Sequence, residues 1–268
     1  MINQGKHSVL GVQISAVDYE YAVEEIIAHA QEGRAFGVSA LAVHGVMTGA
    51  LDEIQRRRLN GLDLLVPDGQ PVRWGLRILH QIRLPDRVYG PELTLRVMQA
   101  TAARKIPVYL YGSTSETIRT LSFKLSQRFP ELCIAGASPS RFRRLSPAEK
   151  QEVIREIQES GAKIVFVGLG CPRQETWVYE YRNQLQMPLL AVGAAFDFHA
   201  GHLPQAPAWM QRSGLEWLFR LIQEPKRLWR RYLYLNPLYL LSLFAQAIGV
   251  RNIPVLFPDQ QVREESFG

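Results

Sequence analysis

Strand-like and helix-like segments alternate along most of this chain, and no other feature restricts its fold as much. Apolar runs rich in β-branched or aromatic residues occur at 8–14, 35–43, 63–66, 108–111, 132–135, 164–167 and 189–192. Between them, apolar residues at helical spacing predict helices over about 18–31, 45–58, 70–79, 91–104, 115–128, 147–159 and 173–185. Ser146-Pro147-Ala148-Glu149 has the N-cap, first-turn proline and N3 glutamate of a capping box. Gly33, Gly61 and Gly161 sit where helices should stop. Strands joined through helices need crossover connections, so the pattern predicts an α/β fold, a largely parallel sheet with helices on both faces. A chain of 268 residues, 47% hydrophobic, can bury a substantial core. The βα alternation stops near 201–207. The expected organisation is therefore an α/β core over 1–206, a helical appendage over 207–250 and a flexible tail over 251–268.

The appendage begins PAWMQRSGLEWLFRLIQEPKRLWRRY, with six Arg or Lys against two Glu between 207 and 235, in a chain whose net charge is only +6. Projected at about 100° per residue, Lys226, Arg227, Arg230, Arg231 and Tyr234 share one arc. Leu228, Trp229, Tyr232, Leu233 and Leu235 share the other. Leu215, Leu218, Leu221 and Ile222 give the preceding segment an apolar stripe, and Pro225 ends one helix while suiting the first turn of the next. A bent helix pair of this kind fits an anionic bilayer or a lipid-linked phosphate. It equally fits a helix pair packed on the core with a solvated basic face, and basic aromatic patches also suit nucleic acid. No window reaches the roughly 20 apolar residues of a membrane span; the nearest, 232–250, is interrupted by Asn236-Pro237. Two cysteines, Cys133 and Cys171, make no disulfide framework, and no secretory signal is evident, so a cytoplasmic location is expected.

In open α/β sheets ligands bind beyond the carboxyl ends of the strands, which selects the loops to read. The 63–66 run ends in Pro67-Asp68-Gly69, where a carboxylate before a helix is placed for general base work or for N-capping. The 108–111 run enters Gly112-Ser113-Thr114, a candidate phosphate cradle. The 164–167 run enters Gly168-Leu169-Gly170-Cys171-Pro172-Arg173-Gln174-Glu175. Its glycines allow close backbone approach, Arg173 could hold a phosphate and Gln174 a sugar or base, although a tight turn explains the glycines equally well. It is neither GxGxxG nor a Walker loop. Asp197, between Phe196 and Phe198, is a candidate acceptor for a nucleotide, or else satisfies loop N–H groups. His44 follows the 35–43 run, as a polar ligand or as a packed or capping histidine. His199 and His202 lack a third partner at metal-ligand spacing, and no metal motif is present.

In combination, PDG at 67–69, VYGPEL at 88–93, YGS at 111–113, GLGCPRQE at 168–175, FDFHAG at 196–201 and the appendage resemble the WecG/TagA/CpsF family of bacterial glycosyltransferases, over about residues 8–235. The resemblance implies a Rossmann-like core and inverting transfer of a sugar from a UDP-sugar donor to a polyprenyl-diphosphate-linked saccharide, on the inner face of the cell membrane, in cell-surface polysaccharide synthesis. It implies no metal and no cofactor, Asp68 as general base, and Gln174 within the catalytic site. It also implies arginines of the appendage at the donor diphosphate, here Arg220, Arg227 and Arg230, with Arg231 beside them. Family members often carry Thr-x-Asn where this chain reads Ala42-Val43-His44, and a histidine there resembles the branch associated with extracellular polysaccharides. The partners so implied are the donor, the lipid-linked acceptor and the inner membrane surface, without nucleic acid; assembly into a homo-oligomer stays open. The alternative class is a non-catalytic membrane- or nucleic-acid-associated binding protein.

Overall fold

Two antiparallel strands, β1 (Asn3–Val9) and β2 (Val12–Val17), precede the main sheet, and from α1 (Tyr19–Glu32) onward strands and helices take turns. In the computed structural model, which describes residues 1–259, 262 and 264–268 and all their side chains except those of Ala208 and Arg212, the order continues as β3 (Phe36–Leu41), α2 (Val43–Leu51), α3 (Glu53–Asn60), β4 (Leu64–Pro67), α4 (Gln70–His80) and α5 (Gly90–Ala103). Then come β5 (Val108–Gly112), α6 (Ser115–Arg128), β6 (Ile134–Ser138), α7 (Pro147–Glu159), β7 (Ile164–Gly168), α8 (Arg173–Leu185), β8 (Pro188–Ala191) and α9 (Ala195–Ala200). The appendage follows as α10 (Ala208–Arg212), α11 (Glu216–Gln223), α12 (Pro225–Arg230), a π-helical turn over Arg231–Leu235 and α13 (Asn236–Ala247).

Six strands form one sheet in the order β4-β3-β8-β7-β5-β6, all parallel, as the alternation predicts. Strands β4, β5 and β8 are buried throughout, which is why they read as continuous apolar runs and not as alternating ones. Alternate residues nonetheless serve different faces. Val165 and Val167 join Trp177, Tyr181 and the β1–β2 hairpin on one side. Ile164 and Phe166 join α1, α5 and α6 residues such as Ile26, Val97 and Leu121 on the other. The capping box at Ser146 forms with both of its hydrogen bonds.

Two elements differ from the sequence expectation. The run 8–14 is not one strand but holds the turn of the β1–β2 hairpin, because Leu10 and Gly11 both take positive φ (52° and 81°). Leucine rarely adopts that conformation, so the turn carries a single glycine as its signal. The predicted helix 45–58 divides at Asp52, whose extended backbone ends α2 and whose side chain accepts from Gln55 N at 3.0 Å to cap α3.

The appendage returns to the core. Leu228 and Tyr232 are buried, Tyr239 and Leu243 enter the main apolar cluster, and Tyr239 donates to Pro71 O at 2.9 Å. The described residues of 251–268 lie along the α/β core, where composition suggested a flexible tail. Ile253 is buried, Asn60 donates to Leu256 O at 2.8 Å, and Glu265 N and Ser266 N donate to Glu180 at 2.6 and 2.9 Å. Among the described residues no helix is long and apolar enough to cross a membrane.

The end of β7 has no room for a side chain, since a Cβ on Gly168 would lie 2.5 Å from the ring of Phe196 in α9. Overpacking against a rigid ring costs about 1–3 kcal/mol. Gly168→Ala is expected to lower the melting temperature by several degrees in calorimetry, with an unchanged helical circular-dichroism spectrum.

Candidate active site

Parallel strands deliver their carboxyl ends to one edge of the sheet, and there the chain encloses a cleft of about 810 Å3. Five of the six strand ends contribute: His44 after β3, Asp68 after β4, Ser113 after β5, Gly168 and Gly170 at β7, and Asp197 after β8. Arg220 of α11, Arg227 and Arg230 of α12, and Arg231 of the π turn line the same cleft. A smaller pocket of about 100 Å3 adjoins it, sharing Asp68, His44, Arg220 and Arg231 and adding Gly69, Trp217 and Tyr232.

Asp68 does not cap the following helix. The N-cap of α4 is Gly69, with φ of 122° and no side-chain cap. Asp68 N instead extends the β3–β4 pairing by donating to Leu41 O at 3.2 Å, and the carboxylate accepts from Gly90 N at the start of α5. The residue keeps some surface toward the cleft, but its carboxyl is desolvated. That burial pushes it up to about 7, opposed by the positive charge of Arg87 and reinforced by the negative charge of Glu216.

His44 lies in the first turn of α2, whose N-cap is Ala42, so it is not a cap. Its Nδ1 is buried without a hydrogen-bond partner. Burial and the neighbouring Arg231 hold the ring down at about 4, so it is neutral at physiological pH. Gln174 is buried and fixed from both ends: its Oε1 accepts from Gly170 N at 3.1 Å and its Nε2 donates to Glu175 Oε1 at 2.9 Å. Ser39 Oγ donates to the same Glu175 oxygen at 3.0 Å, while Glu175 Oε2 has no partner. Burial raises the Glu175 carboxyl.

Asp197 is half-buried in the first turn of α9; burial raises its carboxyl against the opposing charges of Arg227 and His202. Arg220 packs 5.4 Å from the centroid of Phe198 and leaves its Nε unpartnered, as does Arg231. Arg227 is exposed and pairs with Glu224 at 2.6 Å. Arg230 lies 5.2 Å from the Trp229 centroid.

Arg173 is not brought to the cleft. The first turn of α8 turns Gln174 inward, and the Arg173 guanidinium sits 5.6 Å from the Phe267 ring centroid instead. Gly112 serves through its backbone: with φ of 112°, a Cβ there would lie 2.8 Å from the carbonyl carbon of Gly168, so it allows β5 and β7 to converge beneath Ser113. His199 and His202 diverge, His199 Nε2 to Pro91 O at 2.9 Å and His202 Nδ1 to Thr117 Oγ1 at 3.1 Å. Among the described residues no three His, Cys, Asp or Glu side chains are grouped for a metal.

Three residues with no role assigned from sequence join the core to the appendage. Arg87 Nη2 pairs with Glu216 Oε2 at 2.6 Å, and Tyr89 donates its hydroxyl to Glu216 Oε1 at 2.7 Å. All three side chains are buried. Their available signal was a glutamate inside a basic aromatic segment, which favours a buried partner over solvation.

The family model described as "Glycosyl transferase WecG/TagA/CpsF family" matches residues 7–253, across both the α/β core and the appendage. The chain belongs to the WecG/TagA/CpsF family. It is a glycosyltransferase. Among curated relatives, N-acetylglucosaminyldiphosphoundecaprenol N-acetyl-beta-D-mannosaminyltransferase of Bacillus subtilis is 30% identical over 189 residues, 70% of this chain and 71% of that protein. The enzyme of the same name from Bacillus spizizenii is 31% identical over 176 residues, 65% and 66% of the two chains. Membership removes the non-catalytic binding protein as a reading of this WecG/TagA/CpsF member.

The raised carboxyl of Asp68 has a stability consequence with a definite sign. A carboxyl held near 7 in the folded chain and near 3.8 when free favours folding below about pH 4, and that contribution is lost as pH rises through 7. By pH 8 wild type bears a cost on the order of 3–4 kcal/mol that an uncharged isostere avoids. Asp68→Asn should therefore unfold at higher denaturant than wild type at pH 8, with the gap closing toward pH 5.

Proposed function

We propose that the protein transfers a sugar, with inversion, from a UDP-sugar to a saccharide carried on a polyprenyl diphosphate. The carrying observation is the desolvated carboxyl of Asp68 in a cleft that also holds four arginines of the appendage. The donor lies along the carboxyl ends of β5, β7 and β8, where Ser113 and Asp197 line the cleft with a hydroxyl and a carboxylate and Gly168 and Gly170 leave room for close approach. The acceptor hydroxyl approaches from the side of Asp68 and His44. Its oxygen attacks the anomeric carbon as the bond to the UDP oxygen breaks, and the proton passes to Asp68. One in-line displacement of this kind inverts the centre. A base that titrates close to neutral pH is matched to this task.

The electron pair leaves on the diphosphate. Arg220, Arg227 and Arg230 meet that charge, with no metal ion required, because donors aimed where charge develops lower the barrier most. Arg231 sits beside neutral His44 and steadies the acceptor side. Gln174, immobilised by Gly170 and Glu175, presents its amide edge to the sugar. The acceptor chemistry is supported by the relatives, whose name specifies a diphosphoundecaprenol-linked acceptor.

The appendage also meets the membrane surface, from the cytoplasmic side. Leu233, Leu241 and Phe244 are each more than 60% exposed, and Trp229 is 48% exposed, beside the basic residues of α12. Large exposed apolar side chains among arginines suit the interface of an anionic bilayer.

Asp68→Ala is expected to lower kcat by about 10²–10⁴-fold with UDP affinity nearly intact by calorimetry; turnover at the wild-type level would remove Asp68 as base. UDP release should persist in excess EDTA. Because the chain beyond 250 packs on the core, truncating the appendage would also unsettle the core, and single charge removal is the cleaner probe. Arg227→Ala, at an exposed position, should cut kcat on a short soluble acceptor by about 10–100-fold, whereas a residue serving only membrane contact would be silent in that assay.

A further inference from the structure

The VYGPEL and GLEW segments supply a buried contact between core and appendage at the small pocket that opens at Asp68. Glu216 opens α11 and is 8% exposed, yet it is an acid in a basic segment. Its two oxygens are divided between Arg87 Nη2 at 2.6 Å and the Tyr89 hydroxyl at 2.7 Å. Arg87 stacks 4.3 Å from the Tyr89 ring centroid and reaches a second appendage residue, Gln211 Oε1, at 3.4 Å. The guanidinium is thus committed to the appendage and acts on Asp68 as a nearby charge. Both Arg87 and Glu216 line the small pocket that opens at Asp68.

We propose that Glu216 is a positioning residue for sugar transfer: its bonds to Arg87 and Tyr89 seat the appendage, keep Arg87 from pairing with Asp68, and thereby make the base competent only when the appendage is closed. This rests on the reading of Asp68 as general base.

The physical argument turns on what each charge does to the carboxylate. Arg87 and Arg220 favour its charged form, Glu216 disfavours it, and the Tyr19 and Tyr89 hydroxyls lie within its field. His44 and Arg231 complete the wall of the shared pocket, His44 as a neutral ring. If the appendage lifts, Glu216 leaves with it, Arg87 is free to pair with Asp68, and water reaches the carboxyl. All three changes favour the ionised, weakly basic form. A closed appendage brings the diphosphate-binding arginines and the tuned base together, so proton removal and leaving-group stabilisation are switched on by the same contact. An open one leaves Asp68 an ordinary carboxylate, which limits hydrolysis of the donor by water before an acceptor is in place.

The experiment is the pH profile of kcat/KM for full-length Glu216→Gln, which keeps the shape and removes the charge. Expected is a fall of about tenfold or more at pH 7 with the acid limb moved to lower pH by about half a unit or more, since the negative charge that adds to burial in raising Asp68 is gone. Two results overturn the proposal: a wild-type rate and profile, or a lower rate with the acid limb unmoved, which marks a structural contact only. Should Glu216→Gln fail to fold, Tyr89→Phe substitutes, keeping every charge and removing one of the two bonds. Faster amide exchange over α11 with reduced kcat and the acid limb again moved to lower pH supports the proposal there, and an unmoved limb, or no change in exchange or kcat, overturns it. Asp68→Asn run alongside separates the two readings. If Asp68→Asn retains turnover, the base assignment fails; if it is inactive while Glu216→Gln behaves as wild type, only the positioning role fails.

Discussion

A strand that runs parallel to its neighbour must return through a crossover, and that requirement organises the rest of this molecule. Six such strands bring the residues after β3, β4, β5, β7 and β8 to one edge, although they are spread over more than 150 positions of sequence. Loops of unrelated composition thereby share one cleft. The close approach is enforced by small residues: Gly112 passes against the backbone of Gly168, and Gly168 passes against the Phe196 ring. Side chains at either position would separate the strand ends that hold Ser113, Asp197 and Gln174 in common reach.

The core alone makes an incomplete site. Its own contribution is a desolvated carboxyl, a neutral histidine and a buried glutamine, while the cations that line the cleft belong to α11, α12 and the π turn. Burying the Arg87–Glu216 pair is weak evidence for stability, because two desolvated charges roughly offset their attraction. Its value lies in geometry. An apolar contact could slide, but a carboxylate shared between a guanidinium and a phenol fixes where α11 begins, and with it the reach of Arg220 into the cleft. The apolar arc of the appendage divides accordingly. Leu228 and Tyr232 pack inward, whereas Trp229 and Leu233 stay outside, so one short segment serves both the cleft and an outer surface.

The places where sequence reasoning fell short share a cause. The hairpin turn at Leu10-Gly11 and the division at Asp52 both lie inside apolar or helical runs, where a single residue changes direction without breaking the pattern. Arg173 and Gln174 are adjacent and equally plausible as ligands by type, yet consecutive helical positions point about 100° apart, and only Gln174 turns inward. Asp68 was open to two uses, and the φ of Gly69 decides against capping, because it places the helix start one residue later. Glu216 lies far in sequence from Arg87 and Tyr89 and carries no spacing signal toward them, since their relation exists only once α11 is seated.

By itself, the sequence determined the periodicities, and through them the α/β class, the parallel sheet, the edge on which chemistry would sit and the helical, basic character of the appendage. Its motif set also determined the family. Tertiary structure alone decided which of two readings each polar residue takes, because that depends on which side chains meet across the cleft and how much water remains between them. Asp68 is a raised carboxyl because burial and the charge of Glu216 act on it together, and neither influence is encoded near residue 68.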